Sequence, residues 1–552
     1  MLAPTLSFRF NMNSTAHTQS EADVDATILK SWLHDGREIG LLDVREHGQY
    51  GEAHIFHAVP MPYSRLEADI LRVAPRRNAR LVVYDNDDGV AVRAQQALQR
   101  LGYTEVYRLR GGVDAWTDAG LNVFAGVNVP SKTFGELAEI EFHTPRISAL
   151  DLAARLQSGD DLVVLDGRPF TEFQKMSIPG AICCPNGELA LHAHTLAPDP
   201  ATTIVINCAG RTRSIIGAQT LINLGLPNPV LALENGTQGW YLEDLKLEHG
   251  AVRRHDAKPS TAAVESAQAR ADALAKRARV ESISVQQATQ WMADTTRTTY
   301  LCDVRTPEEF KAGSLSGAQH TPGGQLIQAT DQYVAVRGAR LILVDDDGIR
   351  APVVASWLVQ MGWEAVVLQG GIHADLRLPP PASPAMPELP ACATNALPAA
   401  LQAGAHLIDV RPSQSWRAQH IEQARWAVRP RLAALNLPQD AKVVLIAAER
   451  AVAQLVAHDL MAQGITRISL NMDSQESWRE AGLAVVSTPD SPPDAECIDF
   501  LFFVHDRHDG NKQAARQYLA WETNLIHQID PQERATFDFT LPVHSNDSQA
   551  RS

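Results

Sequence analysis

The chain alternates short apolar runs with stretches of helical apolar spacing, in blocks of about 100 residues. In one block the β-branched run Ile204-Val205-Ile206 is followed by the polar stretch Asn207–Ser214. Next comes Ile215-Ile216-Gly217-Ala218-Gln219-Thr220-Leu221-Ile222, which has the spacing of a buried helix. The pattern predicts strand, tight loop, helix. Further strand-like runs are Val106–Leu109, Val230–Leu233 and Val366–Leu368, each leading to a Gly-Gly or Asn-Gly pair that tolerates positive φ. Strands of this length alternating with helices predict parallel α/β units.

The blocks are copies of one another. Asp-x-Arg closes a strand four times, at Asp43–Arg45, Asp166–Arg168, Asp303–Arg305 and Asp409–Arg411. An aromatic stands seven residues after each Asp (Tyr50, Phe173, Phe310, Trp416), and an alanine fifteen after (Ala58, Ala181, Ala318, Ala424). The same register places Asp85, Cys208 and Asp345 at one equivalent loop position, each 17 residues before a glycine (Gly102, Gly225, Gly362). Gly464 points to Ala447 as the fourth member. A nucleophilic sulfur is therefore expected in one copy of four. The Asp-x-Arg pair recurs where cysteine is absent, so a structural role is expected for Asp166 and Arg168, with Arg168 also free to line a pocket.

A loop between a strand and a helix N-terminus aims backbone N–H groups and the positive end of the helix dipole at its centre. Here the centre is Cys208, with Arg211 and Arg213 adding positive charge and Gly210 easing the turn. Such a field favours the thiolate, the reactive form. The segment Cys208-Ala209-Gly210-Arg211-Thr212-Arg213 resembles the active-site loop of the rhodanese-type sulfurtransferases. The resemblance implies a cysteine that carries a persulfide between donor and acceptor, with Arg211, Arg213, Ala209, Gly210, Thr212 and Ser214 surrounding an anionic donor. The similar cysteine phosphatases place arginine six positions after the cysteine, where this chain has Ser214. Mercaptopyruvate enzymes of the family usually carry a different loop, so the resemblance favours thiosulfate or a similar donor, with a thiol, cyanide or carrier protein as acceptor. The alternative is a sulfur-carrier or docking protein with little small-molecule turnover.

The expected architecture is α/β: four tandem rhodanese-like domains, each a small parallel sheet flanked by helices, plus a C-terminal α/β extension. The copies are placed at 22–125, 146–248 (holding Cys208), 283–378 and 391–486, the last being the most degenerate. Residues 258–279, rich in helix formers, are expected to be a helical linker. Prolines from Pro379 to Pro390 suggest a stiff spacer. In 487–552, Ile498–Val504 reads as strand-like, Asn511–Ile529 as helical, and 543–552 as disordered.

Composition narrows the function. Apolar content of 45% and charged content of 20% suit a globular protein, and a net charge of −15 argues against nucleic-acid or membrane-surface binding. No apolar run approaches a membrane span, and Met1–Ser20 lacks the pattern of a secretory signal, so a cytoplasmic location is expected. The six cysteines show no metal spacing, and neither a metal nor a cofactor is expected. Asp85 and Asp345 lie in acidic loops that lack the closing glutamate of an EF-hand, and they are expected to mark sites that no longer handle sulfur. Cys183 and Cys184 are expected to pack as small apolar groups rather than relay sulfur, and His505–Asp509 is a weak metal candidate.

Overall fold

The computed structural model describes residues 23–378, 384–502 and 511–540. His505–Asp509, Pro379–Pro381 and residues 543–552 lie outside them.

Four parallel sheets follow one another along the chain. In the second, the strand order is Arg146–Ile147, Val230–Leu233, Thr203–Asn207, Leu162–Asp166, Ile182–Cys183, every neighbour parallel. The central strand Thr203–Asn207 is buried along its whole length and runs into the helix Thr212–Asn223 through Cys208–Arg211. The first and third sheets repeat this order, and the fourth keeps its core of His406–Asp409, Lys442–Ile446 and Arg467–Asn471. The fold class is thus α/β, built from small parallel sheets flanked by helices.

The Asp-x-Arg repeat has one geometry throughout. Arg168 forks onto Asp166 at 2.7 Å and donates to the carbonyl eight residues on, that of Met176, at 2.6 Å. Arg45 does the same with Asp43 and Ala53, Arg305 with Asp303 and Gly313, and Arg411 with Asp409 and Gln419. Each pair is buried and ties the strand end to the end of the helix that follows. A buried charge has to be paired in this way to be tolerated.

The units are fused rather than strung out. Strand Val336–Arg337, from the third unit, adds antiparallel to Ile39–Asp43 of the first, and one hydrophobic core runs through both. Arg350 is 1% exposed at the N-terminus of helix Arg350–Gln360 and pairs with Glu188 of the second unit as well as with Glu309, Asp346 and Asp347. Arg429 of the fourth unit reaches Glu67 of the first at 2.6 Å and its own Asp459 at 2.9 Å. Helix Thr261–Arg277 packs between helices Leu189–Leu196 and Arg350–Gln360.

Two segments depart from the sequence reading. Residues 498–502 of the segment read as strand-like form no strand (503 and 504 lie outside the described residues), and the regular structure of 487–540 is helical, chiefly Lys512–Gln528. Their aromatic residues serve as packing anchors instead of ladder members, Phe500 and Phe502 meeting edge-on at 4.8 Å. The second segment is Val129–Phe142, a helix after Asn128 in the left-handed conformation with Pro130 in its first turn. It is buried from residue 131 to 138 and packs on both Thr212–Asn223 and Lys512–Gln528.

Candidate functional site

Three features hold the Cys208 loop. The strand Val230–Leu233 ends in Asn235 and Gly236, both at positive φ. A Cβ on Gly236 would lie 2.2 Å from the Cys208 carbonyl oxygen, so only glycine lets the turn approach so closely. From that turn the Thr237 N–H donates to the Cys208 carbonyl at 2.8 Å and the Gln238 N–H to that of Ala209 at 3.1 Å. The same turn supports the equivalent loops, with Gly112 against Asp85 and Gly371 against Asp345. On the other side, Asn186 donates to the carbonyl of Arg213 at 2.9 Å.

What fills the loop differs between units. In the first, the Asp85 carboxylate accepts from the N–H groups of Asp87 at 2.9 Å and Ala91 at 2.8 Å. In the third, Asp345 accepts from Gly348 at 3.2 Å and Ala351 at 2.8 Å, and burial beside Asp347 pushes its carboxyl up to about 7. These loops are closed by a carboxyl group of their own. In the second unit, the backbone N–H groups of 209–214 meet no protein acceptor among the described residues, and the Ser214 hydroxyl donates to the Cys208 sulfur at 3.0 Å. Ala447 in the fourth unit brings no functional group.

Cys208 is 2% exposed, yet it borders a cavity of about 560 Å³. The loop forms the floor, including Ala209, Gly210, Arg211, Thr212 and Arg213. Arg168 and Lys175 come from the same unit, Lys132 from Val129–Phe142, Gln325 and Gln328 from the third unit, and Tyr518 and Glu522 from the C-terminal helix. Ser214 sits beneath, fully buried. The site is therefore assembled from four parts of the chain.

The electrostatics are more balanced than the sequence suggests. Arg211 pairs with Glu136 at 2.7 Å and Glu139 at 2.5 Å, and Arg213 with Glu172 at 2.8 Å. Both guanidiniums are held charged by these carboxylates against the cost of burial. Glu136 is itself pushed up to about 7 by burial. Lys132 bonds the Tyr518 hydroxyl and lies 3.7 Å from Glu522, which accepts from the Thr212 hydroxyl at 2.9 Å. A Cβ at Gly210 would lie 2.9 Å from a carboxylate oxygen of Glu522, which shows how closely the C-terminal helix crosses the loop.

The sequence reading did not find Lys132, Glu136, Gln325, Gln328, Tyr518 or Glu522. The helix carrying Lys132 and Glu136 was detectable from its Asn128-x-Pro130 start and the apolar series Val129, Phe134, Leu137, Ala138. Approach of the others across the chain leaves no local signal. Cys183 and Cys184 are buried in two separate apolar clusters, and burial pushes the Cys183 thiol up to about 12. The described residues contain one metal-compatible set, Glu188, His192 and His255, with ligand atoms within 4.8 Å of one another. Arg350 already lies 3.1 Å from Glu188, placing a cation beside the ligand a metal would need, and none of the three borders the Cys208 cavity.

A cysteine at a strand–helix junction with open amides, on a parallel sheet repeated along the chain, defines a class. The sequence profile described as "Rhodanese-like domain" matches residues 25–119, 148–243 and 284–376, and the chain belongs to this family. The crystal structure of a thiosulfate sulfurtransferase from Pseudomonas aeruginosa matches with a TM-score of 0.86 at 40% identity, covering 95% of this chain and 100% of that one. A "Sulfurtransferase" of Allochromatium vinosum is 26% identical over 103 residues, 19% of this chain and 94% of that protein. "Protein HIGH ARSENIC CONTENT 1, mitochondrial" of Arabidopsis thaliana is 32% identical over 117 residues, 19% of this chain and 66% of that protein, just under two thirds of its length.

Proposed function

We propose that the protein is a single-site sulfurtransferase in which Cys208 carries sulfane sulfur from thiosulfate, or a similar anionic donor, to a thiophilic acceptor. The Cys208 thiolate attacks the outer sulfur of thiosulfate, the S–S bond breaks, and sulfite leaves with the electron pair. The persulfide anion rests in the N–H groups of 209–214 and on the Ser214 hydroxyl. An acceptor thiolate or cyanide then attacks the outer sulfur and releases the Cys208 thiolate. Arg211 and Arg213 orient the donor's oxygens while their carboxylate partners keep the empty site from being strongly cationic. Asp166 and Arg168 position the strand end beneath the loop.

The observation that carries this reading is the contrast between loops. Equivalent amides are taken up by Asp85 and Asp345 in the first and third units and stand open beside a sulfur in the second, which faces a cavity. The likeness to a solved thiosulfate sulfurtransferase over 95% of the chain supports the donor. We also read the chain as four copies of one unit, at 22–125, 146–248, 283–378 and 391–486. The helical segment 258–279 links the middle pair, and 487–552 helps close the cavity.

The test is intact-mass spectrometry after incubation with thiosulfate, together with thiocyanate formation from cyanide. Wild type should gain about 32 Da, one sulfur atom, and turn over with ping-pong kinetics. Cys208→Ser should do neither, and activity retained by that variant would overturn the assignment. A stable persulfide with negligible thiocyanate would instead mark a sulfur carrier.

A further inference from the structure

A second cavity, of about 210 Å³, lies where the first unit, the third unit and the C-terminal segment meet. Pro130 and Ser131 line it while Asn128 and Lys132 face the Cys208 cavity, and Thr330 and Asp331 line it while Ala329 faces the other way. The two spaces thus share walls but are separate.

Arginines outnumber carboxylates on its wall, Arg37 and Arg337 against Asp331. Arg337, on the strand that joins the two units, has Nη1 buried with no hydrogen-bond partner among the described residues, and its Nη2 makes only a 3.5 Å contact with the Thr536 hydroxyl. It forms no ion pair within 4 Å among the described residues. Burial lowers it to about 10, so it stays cationic at neutral pH. His57 is 8% exposed, and its Nε2 likewise lacks a partner among the described residues. Burial and the neighbouring Arg337, His34 and Lys30 hold His57 well below its usual range, so it is neutral. Arg37 stands at the rim, exposed. Of the nearest carboxylates, Glu533 is engaged with Lys30 and the Asp530 N–H, while Asp331, on the cavity wall and pushed up to about 7 by burial, has one oxygen 3.5 Å from the Tyr50 hydroxyl and the other buried without a partner among the described residues. The remaining walls are apolar, from Leu33, Met361, Trp363 and Phe537. Unsatisfied buried polar atoms of this kind cost stability unless something pairs with them.

We propose that this cavity binds a small organic monoanion, a carboxylate or sulfonate with an apolar body, whose charged end accepts from Arg337 beside His57. A volume below the roughly 300–1,000 Å³ of drug-sized sites restricts the ligand to about the size of a single aromatic ring with its acid group. A fixed guanidinium fork recognises such a head bidentately. The apolar walls distinguish this ligand from inorganic anions, which gain nothing from them.

The test uses the full chain with benzoate as the calorimetric probe, and crystals soaked in 4-bromobenzoate to locate the bromine by anomalous scattering. Benzoate should bind saturably and benzyl alcohol should not. Arg337→Met should weaken benzoate at least tenfold, and Cys208→Ser should leave it unchanged. The bromine should appear between Trp363 and Phe537. The proposal is overturned if Arg337→Met binds as wild type does, if no binding is seen at millimolar benzoate, or if the bromine sits beside Cys208. Should Arg337→Met fail to fold, the bromine position in the wild-type protein decides alone.

Discussion

The Ser214 hydroxyl donates to the Cys208 sulfur at 3.0 Å, from the position where Ala91 and Ala351 give their backbone N–H groups to Asp85 and Asp345 in the sister loops. The same offset of six residues supplies a donor to the central side chain in all three. We expect Ser214→Ala to lose one donor to the thiolate and the persulfide. A hydrogen bond to a charged group is worth about 1.5–3 kcal/mol, which corresponds to a fall of roughly 10–150-fold in kcat/KM for thiosulfate. Ser214→Thr keeps the hydroxyl and should retain most of the activity. Steady-state kinetics of the two variants decide this, and an Ala variant as fast as wild type removes the hydroxyl from the mechanism.

The sister loops also say what Cys208→Asp should do. Asp85 and Asp345 each spend both carboxylate oxygens on amides of their own loop, so the backbone there already accommodates an aspartate. The variant should be inactive but fold with a Tm within a few degrees of wild type, since one shared loop geometry carries either residue. Cys208→Leu, which brings bulk without acceptors, should be markedly less stable. Thermal unfolding of the pair makes the comparison, and equal losses would contradict an anion cradle.

Much of this site could be read from residue order because it is local. The strand, the loop, the helix and the glycine turn each repeat at fixed offsets, and the same offsets separated Cys208 from Asp85, Asp345 and Ala447. Fork geometry at Asp166–Arg168 likewise spans only two positions. The pairing of Arg211 with Glu136 and Glu139 could not be read so, because those carboxylates lie more than 70 residues away. Nor could the approach of Tyr518 and Glu522, some 310 residues beyond Thr212. Over its described part, residues 498–502, the strand expected at Ile498–Val504 does not form, for a related reason: an apolar run shows that a segment is buried, not what it is buried against.

Arg350 joins units rather than elements. It touches Glu188 across the boundary between the second and third units, at 1% exposure, with three further carboxylates around it. Arg350→Met should cost about 3–5 kcal/mol, because it strands the buried Glu188 carboxylate without a counter-ion. A double variant with Glu188→Gln should recover part of the loss. Denaturant unfolding checks both, and a neutral single variant would show that the network contributes nothing to the fusion of the units.

Tyr518 closes one side of the Cys208 cavity and holds Lys132 through its hydroxyl. Tyr518→Ala should widen the cavity and free the lysine. Alkylation of Cys208 by a bulky maleimide should then quicken more than alkylation by iodoacetamide, a reagent small enough to enter already. Second-order rate constants for the two reagents give the answer. Equal effects on both would mean that the C-terminal helix does not control access.

Asp331 supplies a pH prediction whose sign can be worked through. Burial raises its folded-state pKa from 3.8 to about 7, against the opposing pull of backbone amides and the Tyr50 hydroxyl. The folded protein therefore holds a proton that the unfolded chain has already released. Stability from this group is fully present below the unfolded pKa, declines as pH rises, and is gone above about 7. An asparagine at this position would mimic the neutral acid at every pH, so the Tm advantage of Asp331→Asn over wild type should grow between pH 5 and 7 and then level off. The gain should be at least several degrees, since about 1 kcal/mol moves Tm by about 4–8 °C in units of about 100 residues. Scanning calorimetry of both proteins at matched pH measures it. A difference constant from pH 5 to 8 would mean that the Asp331 carboxyl titrates as an ordinary exposed one, and that the seam between the first and third units is wetter than its packing implies.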